Sequence, residues 1–140
     1  MGHTLRGLAT VSFFAADHEA AVRWYTDFLG TAPYFERPGY AEFRLGDHQT
    51  ELGIIDSKYS PGTDSSAGRA GLVAYWHVDD VDGAIDTAVS MGAIVLEPKQ
   101  DRGRGFITAT VVDPFGNILG LMHNPHYLQM LGEKSGHAGA

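Results

Sequence analysis

Two periods organise the apolar positions of this chain. From Leu8 to Ala15 they alternate, with Val11 and Phe13 on one side and Thr10, Ser12 and Phe14 on the other, which predicts a half-buried strand. From Ala21 the spacing changes to three and four residues. Ala21, Trp24, Tyr25 and Phe28 recur with Val22 and Leu29 alongside, the stripe of a core-facing helix. Asp17 is placed to cap that helix at its start, and Gly30 to end it. A loop through Pro33 and Pro38 follows, then strands over Tyr40 to Leu45 and Thr50 to Ile55 separated by a turn at Gly46-Asp47. The stretch from Asp56 to Gly71 has no periodicity and is rich in Ser, Gly and Asp, which predicts a surface connector.

The second half repeats the order. Leu72 to Val78 predicts a strand, Asp79-Asp80 a helix start, and Val81, Ala84, Ile85 and Ala88 an apolar helix face closed by Gly92. Ala93 to Leu96 is β-type, Pro98 to Gly105 reads as a polar loop, and Phe106 to Val112 as a strand. A hairpin follows, in which Asp113-Pro114-Phe115-Gly116-Asn117 turns between Val112 and Ile118. In its second strand Ile118, Gly120 and Met122 share one face and Leu119 and Leu121 the other. Gly120 stands out, because a strand interior gains nothing from glycine unless something approaches closely there. His123 to Leu128 is expected to dock a C-terminal segment through Tyr127 and Leu128, and the small, polar tail from Gly132 to Ala140 to be disordered.

Asp17-His18-Glu19-Ala20-Ala21-Val22 superposes on Asp80-Val81-Asp82-Gly83-Ala84-Ile85 at a shift of about 63 residues. Two such units, each with a helix on one face of a short sheet, leave the other faces free to enclose a ligand cleft.

Composition narrows the function classes. At 140 residues and 44% hydrophobic content the chain is one domain's worth with enough apolar surface for a core. Its formal charge of −7 argues against duplex nucleic acid as a partner. Without cysteine, neither disulfides nor thiolate chemistry enters. The first residues show no signal-peptide core, and no run approaches the roughly 20 apolar residues of a membrane span, so a cytoplasmic protein that binds no membrane is expected.

The Asp-x-x-x-Ala-x-x-Trp-Tyr-x-x-x-Leu-Gly run from Asp17 to Gly30, the Val78-Asp79-Asp80-Val81-Asp82 helix start and the Asp113-to-Asn117 turn resemble the vicinal oxygen chelate superfamily of glyoxalases, extradiol dioxygenases and bleomycin-resistance proteins. The resemblance covers about residues 7–125. It implies an α+β fold of two paired βαβββ units, a curved mixed sheet around a cleft with helices outside. The whole chain is then one domain: unit one over about 7–56, a connector over 57–70, unit two over about 71–125 and a C-terminal segment and tail over 126–140.

The family's metalloenzymes hold a divalent ion on one side chain from the first and one from the last strand of each unit, typically His, Gln or Glu. Those positions fall here on Thr10, Glu51, Val73 and Gly120, of which only Glu51 is a competent donor. The resemblance therefore implies no metal and no cofactor. By alternation the cleft face carries Thr10, Ser12 and Phe14, then Gln49, Glu51, Gly53 and Ile55, then Val73, Tyr75 and His77, and finally Ile118, Gly120 and Met122. Half of these are apolar or aromatic, which suits a planar organic ligand touched by a few polar groups.

The favoured expectation is a bleomycin-resistance-type homodimer that binds an aromatic or amphiphilic molecule without metal. The alternative is a glyoxalase- or dioxygenase-type lyase or isomerase. It would use Glu51 as base and His77 as acid, or a metal on shifted ligands such as Glu51, His77 and His123. Lys99, Arg102 and Arg104 are a further candidate, as a clamp for a ligand carboxylate or phosphate, against the simpler reading of a solvated loop.

Overall fold

The chain divides into two units, Met1–Gly71 and Leu72–Ala140. The computed structural model describes residue 3 and residues 8–59 and 73–138, with main chain alone from 133 onward. Most of the expected connector lies outside the described residues.

Unit one runs β1 (Thr10–Ala15), α1 (His18–Leu29), β2 (Phe35–Arg37), β3 (Tyr40–Leu45) and β4 (Thr50–Asp56). The sheet order is β1-β4-β3-β2, with β1 parallel to β4 and the other pairs antiparallel. Both predicted caps of α1 are present. The Asp17 carboxylate accepts from the Ala20 N–H at 3.1 Å, and Gly30 takes the left-handed conformation at φ 69°. Alternation sorts the strands. Phe13, Ala15, Ala41, Phe43, Leu52 and Ile54 are buried together with Ala21, Trp24 and Tyr25 of α1. The aromatic stripe is core: Trp24 packs edge-on to Tyr25 with centroids 4.7 Å apart and stacks on Phe28 at 5.1 Å.

Unit two repeats the order as β5 (Tyr75–His77), α2 (Val81–Ser90), β6 (Ile94–Gly103), β7 (Phe106–Val112) and β8 (Ile118–His123), and adds α3 (Pro125–Ala138). Its sheet order, β5-β8-β7-β6, matches unit one, again with the first and last strands parallel. Asp80 caps α2 by accepting from the Gly83 N–H at 2.9 Å, as Asp17 does for α1. Val81, Ala88, Ala109, Val111, Leu119 and Leu121 form the core. The fold is α+β: each unit is an open four-stranded mixed sheet with a helix after its first strand, and unit two carries α3 besides.

Several element boundaries differ from expectation. β1 begins at Thr10 rather than Leu8, β5 covers Tyr75–His77 and not Val73, Ala74 or Val78, with Leu72 of the expected strand outside the described residues, and Phe35–Arg37 is a strand inside the expected loop. The expected polar loop from Pro98 to Gly105 is mostly strand, because β6 continues to Gly103 before a tight turn into β7. Every residue of β6 is exposed and its pairing is interrupted by register shifts, so no hydrophobic alternation marks it. The tail expected to be disordered is helical through Ala138.

The opening turn of the last hairpin is built on one side chain. Asp113 is buried, and its Oδ1 accepts from the Phe115 and Asn117 N–H groups at 2.9 and 2.8 Å, while Oδ2 accepts from Asn117 Nδ2 at 3.1 Å. The motif is thus a structural device that sets where β8 begins, and so which of its residues face away from α2.

Candidate functional site

The sheet face away from α1 carries the first-unit candidates in cross-strand rows. Thr10, Glu51 and Arg44 form one row, Ser12, Gly53 and Glu42 the next, and Phe14, Ile55 and Tyr40 the third. Thr10 Oγ1 donates to Glu51 Oε2 at 3.1 Å, and the Tyr40 hydroxyl donates to Glu42 Oε1 at 2.5 Å. The Tyr40 phenol is pushed up to about 12, first by burial, then by its hydrogen bond to Glu42 and by the charges of Glu42 and Glu51. Arg44 does not pair with Glu51 opposite it. Its guanidinium lies over the Tyr34 ring, 3.6 Å from the centroid. Gln49 stands apart from these rows: it sits in the turn before β4 with φ 53°, where the strand alternation does not apply, and its Nε2 donates to the Gly46 carbonyl at 3.0 Å.

In unit two the face away from α2 carries Tyr75, Gly120 and Thr110 in one row and His77, Met122 and Thr108 in the next. Glu97 joins the first row, accepting from Thr110 Oγ1 at 3.2 Å. Val73 precedes β5 and is half-buried. The close approach that a strand-interior glycine implies at Gly120 comes from the chain itself. A Cβ at Gly120 would meet the Ala74 carbonyl oxygen and Tyr75 Cδ1, each at 2.7 Å, so the chain's own atoms take up that space. Unit one has the same device in milder form, with Tyr40 Cε1 at 3.2 Å from a Cβ built on Gly53.

His77 has two structural partners. Its Nδ1 accepts from the Asn124 N–H at 3.0 Å, and its Nε2 lies 3.3 Å from Asp79 Oδ1, a pattern met by an imidazole carrying its proton on Nε2. The ring stacks on Tyr127 at 5.0 Å and tilts against His123 at 5.1 Å. Asn124 in turn caps α3, accepting from the Tyr127 N–H at 2.9 Å. His77 therefore docks the start of the last helix. Glu51 belongs to unit one and His77 to unit two.

The four positions that the resemblance assigns to metal ligands are occupied as follows. The Thr10 hydroxyl is engaged with Glu51, Val73 has no donor, and the place of a side chain at Gly120 is filled. No group of three or more His, Asp or Glu side chains able to hold a metal occurs among the described residues. In the basic run, Lys99 Nζ donates to Asp82 Oδ2 at 2.8 Å, Arg102 Nε donates to Thr108 Oγ1 at 3.0 Å, and Arg104 forms the turn with φ 57°. A groove of about 520 Å³ lies elsewhere in unit one, between α1 and the β2–β3 turn, lined by His18, Arg23, Arg37 and Asp56 among others. His18 is half-buried there, with Nε2 donating to the Ile54 carbonyl at 2.9 Å.

Sequence reasoning missed Tyr40, Glu42 and Arg44. Their alternation in β3 put them on this face, but nothing local pairs them with β4.

Residues 7–121 match the family model described as the glyoxalase/bleomycin resistance protein/dioxygenase superfamily. No curated protein matches the sequence. Among solved structures, a glyoxalase-related enzyme from Fulvimarina pelagi is similar at 22% identity and TM-score 0.68, over 86% of this chain and 90% of that one. A lactoylglutathione lyase from Agrobacterium tumefaciens is similar at 21% identity and TM-score 0.64, over 85% and 94%. TioX from Micromonospora sp. ML1 is similar at 19% identity and TM-score 0.63, over 84% and 98%. At these identities the likeness is one of fold.

Proposed function

The chain belongs to the glyoxalase/bleomycin resistance protein/dioxygenase superfamily, and from that premise we propose that it binds a small aromatic or amphiphilic molecule on its open sheet faces without a metal ion. One observation carries the reading: at the positions where the family's metalloenzymes place ligands, this chain has a carboxylate, a hydroxyl bonded to it, and two residues without side-chain donors. The same faces offer apolar and aromatic surface in Phe14, Ile55, Tyr40 and Tyr75 beside a few polar groups, the mix that small-molecule sites use. Binding and sequestration need no catalytic group. Acid-base catalysis by Glu51 with His77 has less support, because the His77 ring nitrogens face Asn124 and Asp79.

The same reading has the protein act as a cytoplasmic homodimer of the bleomycin-resistance type. The exposed aliphatic side chains of Ile94 and Leu96 support a second copy as partner, and sedimentation across a concentration series tests it.

Elemental analysis of protein purified without chelator, paired with thermal-shift screening of aromatic compounds, tests the central claim. The expected result is no stoichiometric divalent ion and a raised melting temperature with a subset of compounds. One tightly bound divalent ion per chain would refute metal-free binding.

A further inference from the structure

Glu42 and Glu51 sit on neighbouring strands of unit one, both half-buried. Their hydrogen bonds come from neutral donors, the Tyr40 hydroxyl and the Thr10 hydroxyl. Among the described residues neither glutamate has a cation at ion-pair distance; the lysine and histidine pairs there are Lys99–Asp82 and His77–Asp79. A candidate counter-charge stands close by in sequence register and is turned away. Arg44 lies directly opposite Glu51 across the β3–β4 pairing, yet its guanidinium stacks on Tyr34. Arg37, on the edge strand, likewise lies over the Phe35 ring, 5.2 Å from the centroid.

The arrangement is more than a pair of acids. The carboxylates occupy the two central strands, the arginines are held against rings toward the β2 side, and the row of Phe14, Ile55 and Tyr40 borders the carboxylates with aromatic and aliphatic surface. Two half-buried carboxylates on neighbouring strands, with no counter-charge among the described residues, suit an occupant that carries positive charge and covers the aromatic row with its apolar part.

Resting on the reading of this face as the binding face, we propose that its ligand is a cation: an aromatic or amphiphilic molecule with a protonated amine, held between Glu42 and Glu51 with its apolar body on Phe14 and Tyr40.

The test uses the full chain and three probes of one shape: 1-naphthylmethylammonium, 1-naphthylmethanol and 1-naphthoate, titrated calorimetrically at low salt. The ammonium is expected to bind about tenfold more tightly than the alcohol, and the carboxylate more weakly than both. Glu42→Gln and Glu51→Gln should each reduce the ammonium's advantage over the alcohol by about three- to tenfold, and a cooperative thermal transition in each variant shows that it folds. If the ammonium's advantage survives in the double variant, or naphthoate binds as well as the ammonium, the cation assignment is overturned and the binding face stands. If none of the probes binds, both fall.

Discussion

The ring of Tyr75 and the carbonyl of Ala74 stand where a side chain on Gly120 would go, each 2.7 Å from a Cβ built there. The glycine in the last strand of unit two is therefore required by the chain's own packing. Gly120→Ala is expected to destabilise the protein by about 1–3 kcal/mol, because a main-chain oxygen in a parallel pairing cannot step aside. Gly53→Ala meets only the edge of the Tyr40 ring, at 3.2 Å, and should cost below about 1 kcal/mol. Urea unfolding of both variants measures the difference, and equal losses would contradict this account.

Tyr40 yields a pH prediction. Its folded-state value, about 12, lies above the ordinary phenol value of 10.0. The neutral phenol is thus favoured by folding, and its contribution to stability is fully present below about pH 10 and lost as pH rises toward 12. In an absorbance titration, Tyr40→Phe should remove a component that ionises near pH 12 in the parent protein.

Asp113 accepts from two main-chain N–H groups and a side-chain amide while almost fully buried. Asp113→Ala strands those donors and is expected to cost about 2–4 kcal/mol, with Asp113→Asn losing less because one oxygen remains. Thermal unfolding ranks the two.

The caps Asp17 and Asp80 do the same work in the two units, each accepting from the N–H three residues on. Replacement of either by alanine should lower stability by about 1 kcal/mol. A loss confined to one of them would show that the units do not depend on their helices alike.

His77→Phe keeps a ring beside Tyr127 but takes the acceptor from the Asn124 N–H. Hydrogen exchange in the first turn of α3 should quicken, with a stability loss of about 1–2 kcal/mol. Unchanged exchange there would mean that the imidazole does not hold the helix.

Much of the fold was legible because its signals are local. Asp17, Gly30 and Asp80 act through the main chain within a turn of themselves, and the Trp24-Tyr25-Phe28 stripe declares its buried face by spacing alone. β6 was not legible past Leu96. A strand exposed along its length has no alternating pattern, and Pro98 with the charges after it reads as loop even though it pairs with β7. The same limit hid Phe35–Arg37, three residues exposed at an edge.

The candidate site divides along that line. Alternation by itself determined that Thr10, Ser12 and Phe14 share a face, as do Gly120 and Met122, and Tyr75 and His77, since a period of two survives any packing; the pairing of the strands then set Glu51 beside Thr10 and Gly120 beside Tyr75. Through the resemblance, the sequence also carries the expectation that the family's metal donors are mostly missing. Only the tertiary structure decided what those residues meet: Tyr75 over Gly120, Asn124 on His77, and Arg44 on Tyr34 instead of Glu51. Apart from the Arg44–Tyr34 stack, between residues ten apart, these choices join segments about 45 residues apart, and all of them depend on which charges and rings are desolvated together, a property of packed surfaces that no local pattern encodes.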